Sequence, residues 1–159
     1  MTDTDPKPLS LETFVPYRMV NLATNISQAF AKTYQQAFDL SIAEWRILAL
    51  LAEHQALTGK DITALAYMDK SKVSRAVKIL QDKQLIHRET HPLDQRAAQL
   101  VLSASGQQLY QQIAPMALAW ERQLIDVLGA GEYRDLLRIM GKLDARVAQM
   151  QTSDNISHL

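Results

Sequence analysis

The sequence predicts a mainly helical fold with one small β-hairpin, and three observations lead to this class. Apolar residues recur at every third or fourth position over most of the chain, which is the period of an amphipathic α-helix. The chain has only five glycines and five prolines, so long irregular segments are not expected. Two short β-type segments, 85–90 and 97–102, flank a polar stretch that contains Pro92 and Asp94.

Start signals and apolar spacing place the first three helices. The first runs from about Pro16 to Asp39 along an apolar stripe. Ser41 and Glu44 form an S-x-x-E capping box that begins the second helix. Thr58 begins a short third helix in a similar way.

Three further helices follow. Asp69 caps the fourth, which runs to about Lys83. Ser103 caps the fifth, and Pro115 should bend it. Two glycines at 129 and 131 separate the fifth helix from the sixth. The apolar residues of the sixth follow a heptad seam: Leu136, Met140, Leu143, Val147 and Met150.

The first, fifth and sixth helices carry more apolar surface than a compact monomer of this length needs. They either pack within one chain or pair with a second copy, and we prefer a homodimer. The chain then divides into a flexible arm (1–12), a helical dimerisation region (13–40 and 104–151), a middle domain (41–103) and a tail (152–159).

Charge and composition restrict the class of partner and the compartment. The net charge is zero, but residues 58–96 hold eight Lys or Arg against five Asp or Glu, which permits a phosphate-binding surface there. The absence of cysteine excludes disulfides and thiolate zinc sites and favours a reducing compartment. Without an apolar signal segment or an 18-residue apolar run, a cytoplasmic protein with no membrane partner is expected.

The fourth helix has an apolar face and an opposed face of hydroxyls and cations. The apolar residues are Val73, Ala76, Val77 and Leu80. The candidate DNA contacts are Lys70, Ser71, Lys72, Ser74, Arg75 and Lys78. A lone helix of this kind is more often a solvated surface helix. Here a short helix precedes it after a break of three or four residues, which indicates a helix-turn-helix that reads a major groove.

Two helices followed by a hairpin are the order of a winged helix, and two segments carry a family resemblance. They are DKSKVSRAVKILQDKQLIHRE (69–89) and DQRAAQLVLSASG (94–106). The second matches a wing pattern, Asp-x-Arg and then Leu-Ser/Thr-x-x-Gly, through Asp94, Arg96, Leu102, Ser103 and Gly106. On these residues the chain resembles the MarR family (multiple antibiotic resistance regulators) over roughly 14–150. Gln84 departs from the pattern, because the family often has glycine there, and this puts the end of the recognition helix in doubt.

The resemblance implies a winged helix-turn-helix regulator that binds double-stranded DNA at a palindromic operator, more often as a repressor. The wing tip can enter a minor groove, where an arginine meets strong negative potential. Arg96 is the expected cation, and Asp94 is expected to brace its guanidinium. The alternative is a turn-stabilising aspartate beside an unrelated surface arginine.

The resemblance also implies release of DNA by a small aromatic or phenolic carboxylate. Arg18, Asn21 and Asn25 lie at spacings of three and four beside the apolar stripe of the first helix and form a candidate effector site. The alternative is a solvated flank or hydrogen bonding in a dimer. Arg46 can neutralise a carboxylate or, as we prefer, brace the DNA-binding domain against the dimer helices.

No catalytic signature is present, and no enzyme activity, metal or cofactor is expected. The sequence has no phosphate-binding loop, nucleophile elbow or Gly-rich dinucleotide turn. His87 and His91 straddle the hairpin and are more typical of ordinary strand and turn histidines than of metal ligands. Two alternative functions remain: a structural DNA-binding dimer without an effector, and a helical interaction module without DNA.

Overall fold

The computed structural model describes residues 8–90 and 98–156, and side chains up to residue 152. In this part of the chain, seven helices and three short strands confirm the mainly helical class with a small sheet. They are α1 (Val15–Ala31), α2 (Gln35–Phe38), α3 (Ile42–His54), β1 (Ala56–Leu57), α4 (Gly59–Ala66), α5 (Lys70–Asp82), β2 (Ile86–Thr90), β3 (Ala98–Leu102), α6 (Ala104–Ile125) and α7 (Ala130–Ile156).

The chain forms two compact units. The first ends at Ala117 and the second begins at Leu118, so the division falls within α6. The core lies in the first unit, where burial of large side chains holds the helices on the sheet. The largest fully buried side chains are Tyr34, Leu40, Ile47, Leu48, Leu51, Ile62, Leu80 and Ile113.

The sheet is antiparallel with the order β1-β3-β2. The predicted hairpin strands are confirmed, and Ile86 lies opposite Leu102 in their register. The sequence did not predict β1, whose Ala56 pairs with Val101. The connection between β2 and β3, residues 91–97, lies outside the described residues.

Helix starts follow the predicted caps. Ser41 Oγ accepts the backbone N–H of Glu44 at 3.2 Å, and Thr58 forms a full capping box with Asp61. Hydrogen bonds from the Thr58 hydroxyl and backbone N–H lower the pKa of Asp61. The Asp69 carboxylate accepts the N–H of Lys72 at 2.8 Å and begins α5.

The prediction of one unbroken first helix to Asp39 is wrong, because α1 ends at Ala31. The Thr33 N–H and hydroxyl both donate to the Phe30 carbonyl, at 2.9 and 2.7 Å. Because these bonds reach the residue three positions earlier, and not four, they tighten the turn and end the α-helical geometry. The turn buries Tyr34, and the short α2 then ends at Asp39, whose φ is 50°.

The C-terminal helices also differ in detail from the prediction. α6 continues through Pro115 without interruption, and the expected bend there stays a prediction. Gly129 donates its N–H to the Glu132 carboxylate at 2.7 Å, while Gly131 is already helical and does not break the chain. α7 extends to Ile156, so the first part of the predicted tail from residue 152 is helical.

Candidate DNA-binding surface

The recognition helix α5 has the two faces that its sequence predicts. Its buried residues are Val73, Ala76, Val77 and Leu80. The six candidate DNA contacts on α5 are all exposed: Lys70, Ser71, Lys72, Ser74, Arg75 and Lys78. All six side chains are therefore open to solvent.

A three-residue turn joins α4 to α5 as a helix-turn-helix. Tyr67 ends α4 in the left-handed region, with φ of 52° and ψ of 44°, and is 95% exposed. Met68 is buried beneath the turn, and Asp69 then caps α5. Burial of Met68 and the cap on Asp69 fix where α5 begins.

Grooves lie on both sides of α5, so that the helix forms a ridge. The groove toward α4 and the sheet has a volume of about 590 Å³, and Lys60, Lys70 and Arg88 are among its lining cations. The groove toward α2 and α3 has about 500 Å³ and contains Lys72 and Arg75. A protruding helix flanked by cations fits a groove bordered by phosphates.

Sequence reasoning missed Lys60 and Arg88 as members of this surface. Both counted toward the central positive charge, but no motif singled them out. Arg88 lies on β2, opposite Leu100 of β3. Only the pairing of the sheet beside α5 places this arginine in the groove.

Gln84 closes the C-terminal end of α5. Its φ is 58°, so it adopts the left-handed conformation that favours glycine after the end of a helix. Gln84 N–H donates to the Gln81 carbonyl and Leu85 N–H donates to the Leu80 carbonyl, both at 2.9 Å. These two bonds form a complete Schellman motif, so the cap is made without glycine.

Lys83 fastens the end of α5 to the junction of α2 and α3. Its ammonium lies 3.1 Å from carboxylate oxygens of both Asp39 and Glu44, and it also donates to the Asp39 carbonyl. Glu44 is only 4% exposed, and its other oxygen accepts the Ser41 hydroxyl at 2.8 Å. Burial alone lowers the pKa of Lys83, but the hydrogen bonds and charges of Glu44 and Asp39 outweigh burial and raise it.

The tip of the wing lies outside the described residues. Asp94 and Arg96, the candidate minor-groove pair, are therefore not placed by the structure, and neither is His91. His87 is described, and its Nε2 lies 3.0 Å from Glu89 Oε1. Among the described residues, no three His, Cys, Asp or Glu side chains are grouped as metal ligands.

The candidate effector residues fall in two different settings. Arg18, Asn21 and Asn25 are all exposed on α1. Arg46 is half-buried on α3 and donates to the Ser27 hydroxyl of α1 at 2.8 Å. This bond joins α3 to α1, and the role of Arg46 as a brace or as an effector ligand stays a prediction.

An aromatic cluster that the sequence did not predict surrounds this bond. Trp45 stacks on Tyr110 of α6 with centroids 6.0 Å apart and planes at 15°. The ring centroid of Tyr34 lies 5.7 Å from that of Trp45 and 5.1 Å from that of Phe30. Burial raises the pKa of Tyr34 to about 12, against an opposing effect of the Arg46 charge. The cluster joins α1, α3 and α6 within the first compact unit.

None of the helices in the described ranges is both long and apolar enough to cross a membrane.

Comparison with known proteins gives one family match and several structural ones. The model of the MarR family matches residues 38–97. No curated protein matches the chain. A MarR/EmrR family transcriptional regulator from Acinetobacter sp. ADP1 is 28% identical with a TM-score of 0.81, over 89% of this chain and 99% of that one.

Two more distant structures share the fold. Bordetella bronchiseptica BpsR, whose DNA binding is regulated by 6-hydroxynicotinic acid, is 18% identical with a TM-score of 0.76 over 87% of this chain and 98% of that one. S. aureus MepR, solved in complex with DNA, is 22% identical with a TM-score of 0.76 over 87% of this chain and 99% of that one. The family match across the helix-turn-helix and the shared fold make the chain similar to the MarR family of winged-helix transcriptional regulators.

Proposed function

We propose that the protein is a homodimeric repressor that binds a palindromic operator and releases it when a small aromatic or phenolic carboxylate binds. The observation that carries the proposal is the exposed hydroxyl and cation face of α5, which stands between two cation-lined grooves. Small hydroxyls and long cations reach base edges and phosphates without filling a major groove.

Each side chain of this face has a proposed task. Arg75 and Ser74 read base edges, while Lys70, Ser71, Lys72 and Lys78 hold phosphates. Arg96, braced by Asp94, enters the flanking minor groove. The solved MepR–DNA complex supports DNA as the partner, because MepR has the same fold.

The apolar surfaces of the terminal helices support a dimer. All five seam residues of α7 are exposed in the single chain, from Leu143 at 38% to Met150 at 54%. Val15, Met19 and Leu22 of α1 are exposed as well. A second copy that covers these residues makes 13–40 and 104–151 the dimerisation region and 41–103 the DNA-binding domain. Two symmetric recognition helices then meet half-sites roughly 34 Å apart.

The effector proposal is supported by BpsR, which responds to an aromatic acid and has the same fold. Arg18, with Asn21 and Asn25, offers an exposed cation beside apolar residues of α1, where a ring can lie while its carboxylate meets the guanidinium. Arg46 lines a second candidate space, a cavity of about 450 Å³ beside Trp45. A constitutive DNA-binding dimer without an effector is the alternative function.

Selection of bound duplexes from random DNA tests the proposal, first without ligand and then with a panel of aromatic acids. We expect an inverted repeat that is released by at least one acid. Arg75→Ala should relax the preference at one base position by about 1–3 kcal/mol, whereas Lys72→Ala should weaken all duplexes evenly and lower the salt slope by about one. Binding without any sequence preference would favour the structural dimer, and no binding at low salt would leave an interaction module without DNA.

A further inference from the structure

The beginning of α6 is fastened to the end of the recognition helix through one carbonyl group. The Ser103 hydroxyl donates to the Gln84 carbonyl at 2.7 Å, and the Ser105 hydroxyl reaches the same oxygen at 2.8 Å. The two hydroxyls lie 2.9 Å apart. We call Ser103, Ser105 and the Gln84 carbonyl the hydroxyl clasp. It connects residues about twenty positions apart in the sequence, so it is a tertiary contact and not a local turn.

The two backbone segments that the clasp joins, 84–85 and 103–106, are in close contact. Ser103 N–H donates to the Leu85 carbonyl at 3.0 Å, and Gly106 N–H donates to Ser103 Oγ at 3.0 Å. A Cβ at position 106 would lie 2.0 Å from the Leu85 carbonyl oxygen, so only glycine fits. The Leu-Ser-x-x-Gly segment is therefore shaped to receive the two carbonyls that follow α5.

The position of this contact gives it leverage over the recognition surface. α5 has 13 residues and is about 20 Å long, so a tilt of about 3° at its C-terminal end moves its N-terminal end by about 1 Å. Recognition geometry tolerates about 0.5 Å of displacement. Lys83 holds the same end to α2 and α3, whereas the hydroxyl clasp holds it to α6.

We propose that Ser103 and Ser105 are positioning residues for operator recognition: their hydroxyls hold the Gln84 carbonyl and set the angle of α5 against α6. This inference rests on the proposed function. α6 continues unbroken from the clasp to Ile125, within the region proposed to carry the dimer contacts.

The test compares operator binding with binding to a scrambled duplex of the same length and composition, at one salt concentration. The operator is the sequence that the wild-type protein selects from random DNA. Ser105→Ala leaves the Ser103 donor in place and should change the specificity ratio less than about twofold. The double variant Ser103→Ala/Ser105→Ala removes both donors and should lower the ratio about tenfold, which corresponds to the loss of a typical hydrogen bond or two. Ser103→Thr/Ser105→Ala retains a hydroxyl at position 103 and should keep the ratio close to that of Ser105→Ala.

Two further variants separate positioning from folding. Ser103→Asp/Ser105→Ala keeps an acceptor for the Gly106 N–H but has no proton to give Gln84, so it should remain folded and still lose specificity. Thr152→Ala removes a hydroxyl bond to a carbonyl of its own helix, 3.0 Å long, and should leave the ratio unchanged. A wild-type protein without sequence preference would refute the proposed function itself. A selective wild type whose double variants without a donor at position 103 keep its specificity ratio would overturn the clasp alone.

Discussion

Replacement of Gln84 by glycine should stabilise the protein, because this residue has a φ of 58°. The left-handed conformation costs a residue with a Cβ roughly 1–2 kcal/mol, and glycine avoids that cost. Glycine loses more backbone freedom on folding, and this costs roughly 0.5–1 kcal/mol of stability, which offsets part of the gain. The Gln84 side chain is exposed, so little packing is lost. We expect a net gain of about 0.5–1 kcal/mol in the free energy of unfolding.

Urea denaturation measures this gain. The protomer concentration is held fixed, because the stability of the proposed dimer would depend on it. The midpoint should rise while the m-value stays constant. Thermal unfolding should show Tm higher by about 1–4 °C for a chain of this size.

A matched variant three residues earlier gives the control. Gln81→Gly removes the same side chain from within α5, where glycine should cost up to about 1 kcal/mol. The two glycine variants should therefore shift stability in opposite directions. A neutral or destabilising Gln84→Gly beside a destabilising Gln81→Gly would refute strain at residue 84.

Four other predictions concern the core, the dimer, the wing and the effector. Tyr34 has an ordinary pKa of 10.0 and a folded pKa of about 12. Neutral Tyr34 contributes its full stabilisation below pH 10, and about 3 kcal/mol of the free energy of unfolding is lost as pH rises through 12. Across this pH range the free energy of unfolding should fall less steeply for Tyr34→Phe than for the wild type. An identical pH dependence would contradict the assignment. Leu143→Asp should place charge in the apolar seam and dissociate the dimer in sedimentation; a monomeric wild type at micromolar concentration would end the dimer proposal. Arg96→Ala should weaken operator binding by ~1.5–3 kcal/mol. Asp94→Ala should weaken it less, whereas tighter binding would exclude the bracing role. Arg18→Ala should raise the concentration of aromatic acid needed for release, and an unchanged concentration would move the effector site elsewhere.

Local chemistry was sufficient for the features that the sequence predicted correctly. Ser41, Thr58 and Asp69 each satisfy backbone N–H groups within their own first turn, so the starts of α3, α4 and α5 can be predicted from a few neighbouring residues. The two faces of α5 follow from the helical period alone. Asp94 and Arg96 lie outside the described residues, so the wing contact predicted from the sequence stays a prediction.

Contacts between distant segments decided the rest. β1 has two residues and exists only because β3 lies beside it. Lys83 meets Glu44 across 39 positions of sequence, and Ser103 meets Gln84 across 19. No spacing rule connects such residues, because the partners are chosen by how the helices pack. The first helix breaks after Ala31 for the same reason: the turn that interrupts its helical period buries Tyr34 in the core, and that packing gain becomes available only in the folded chain.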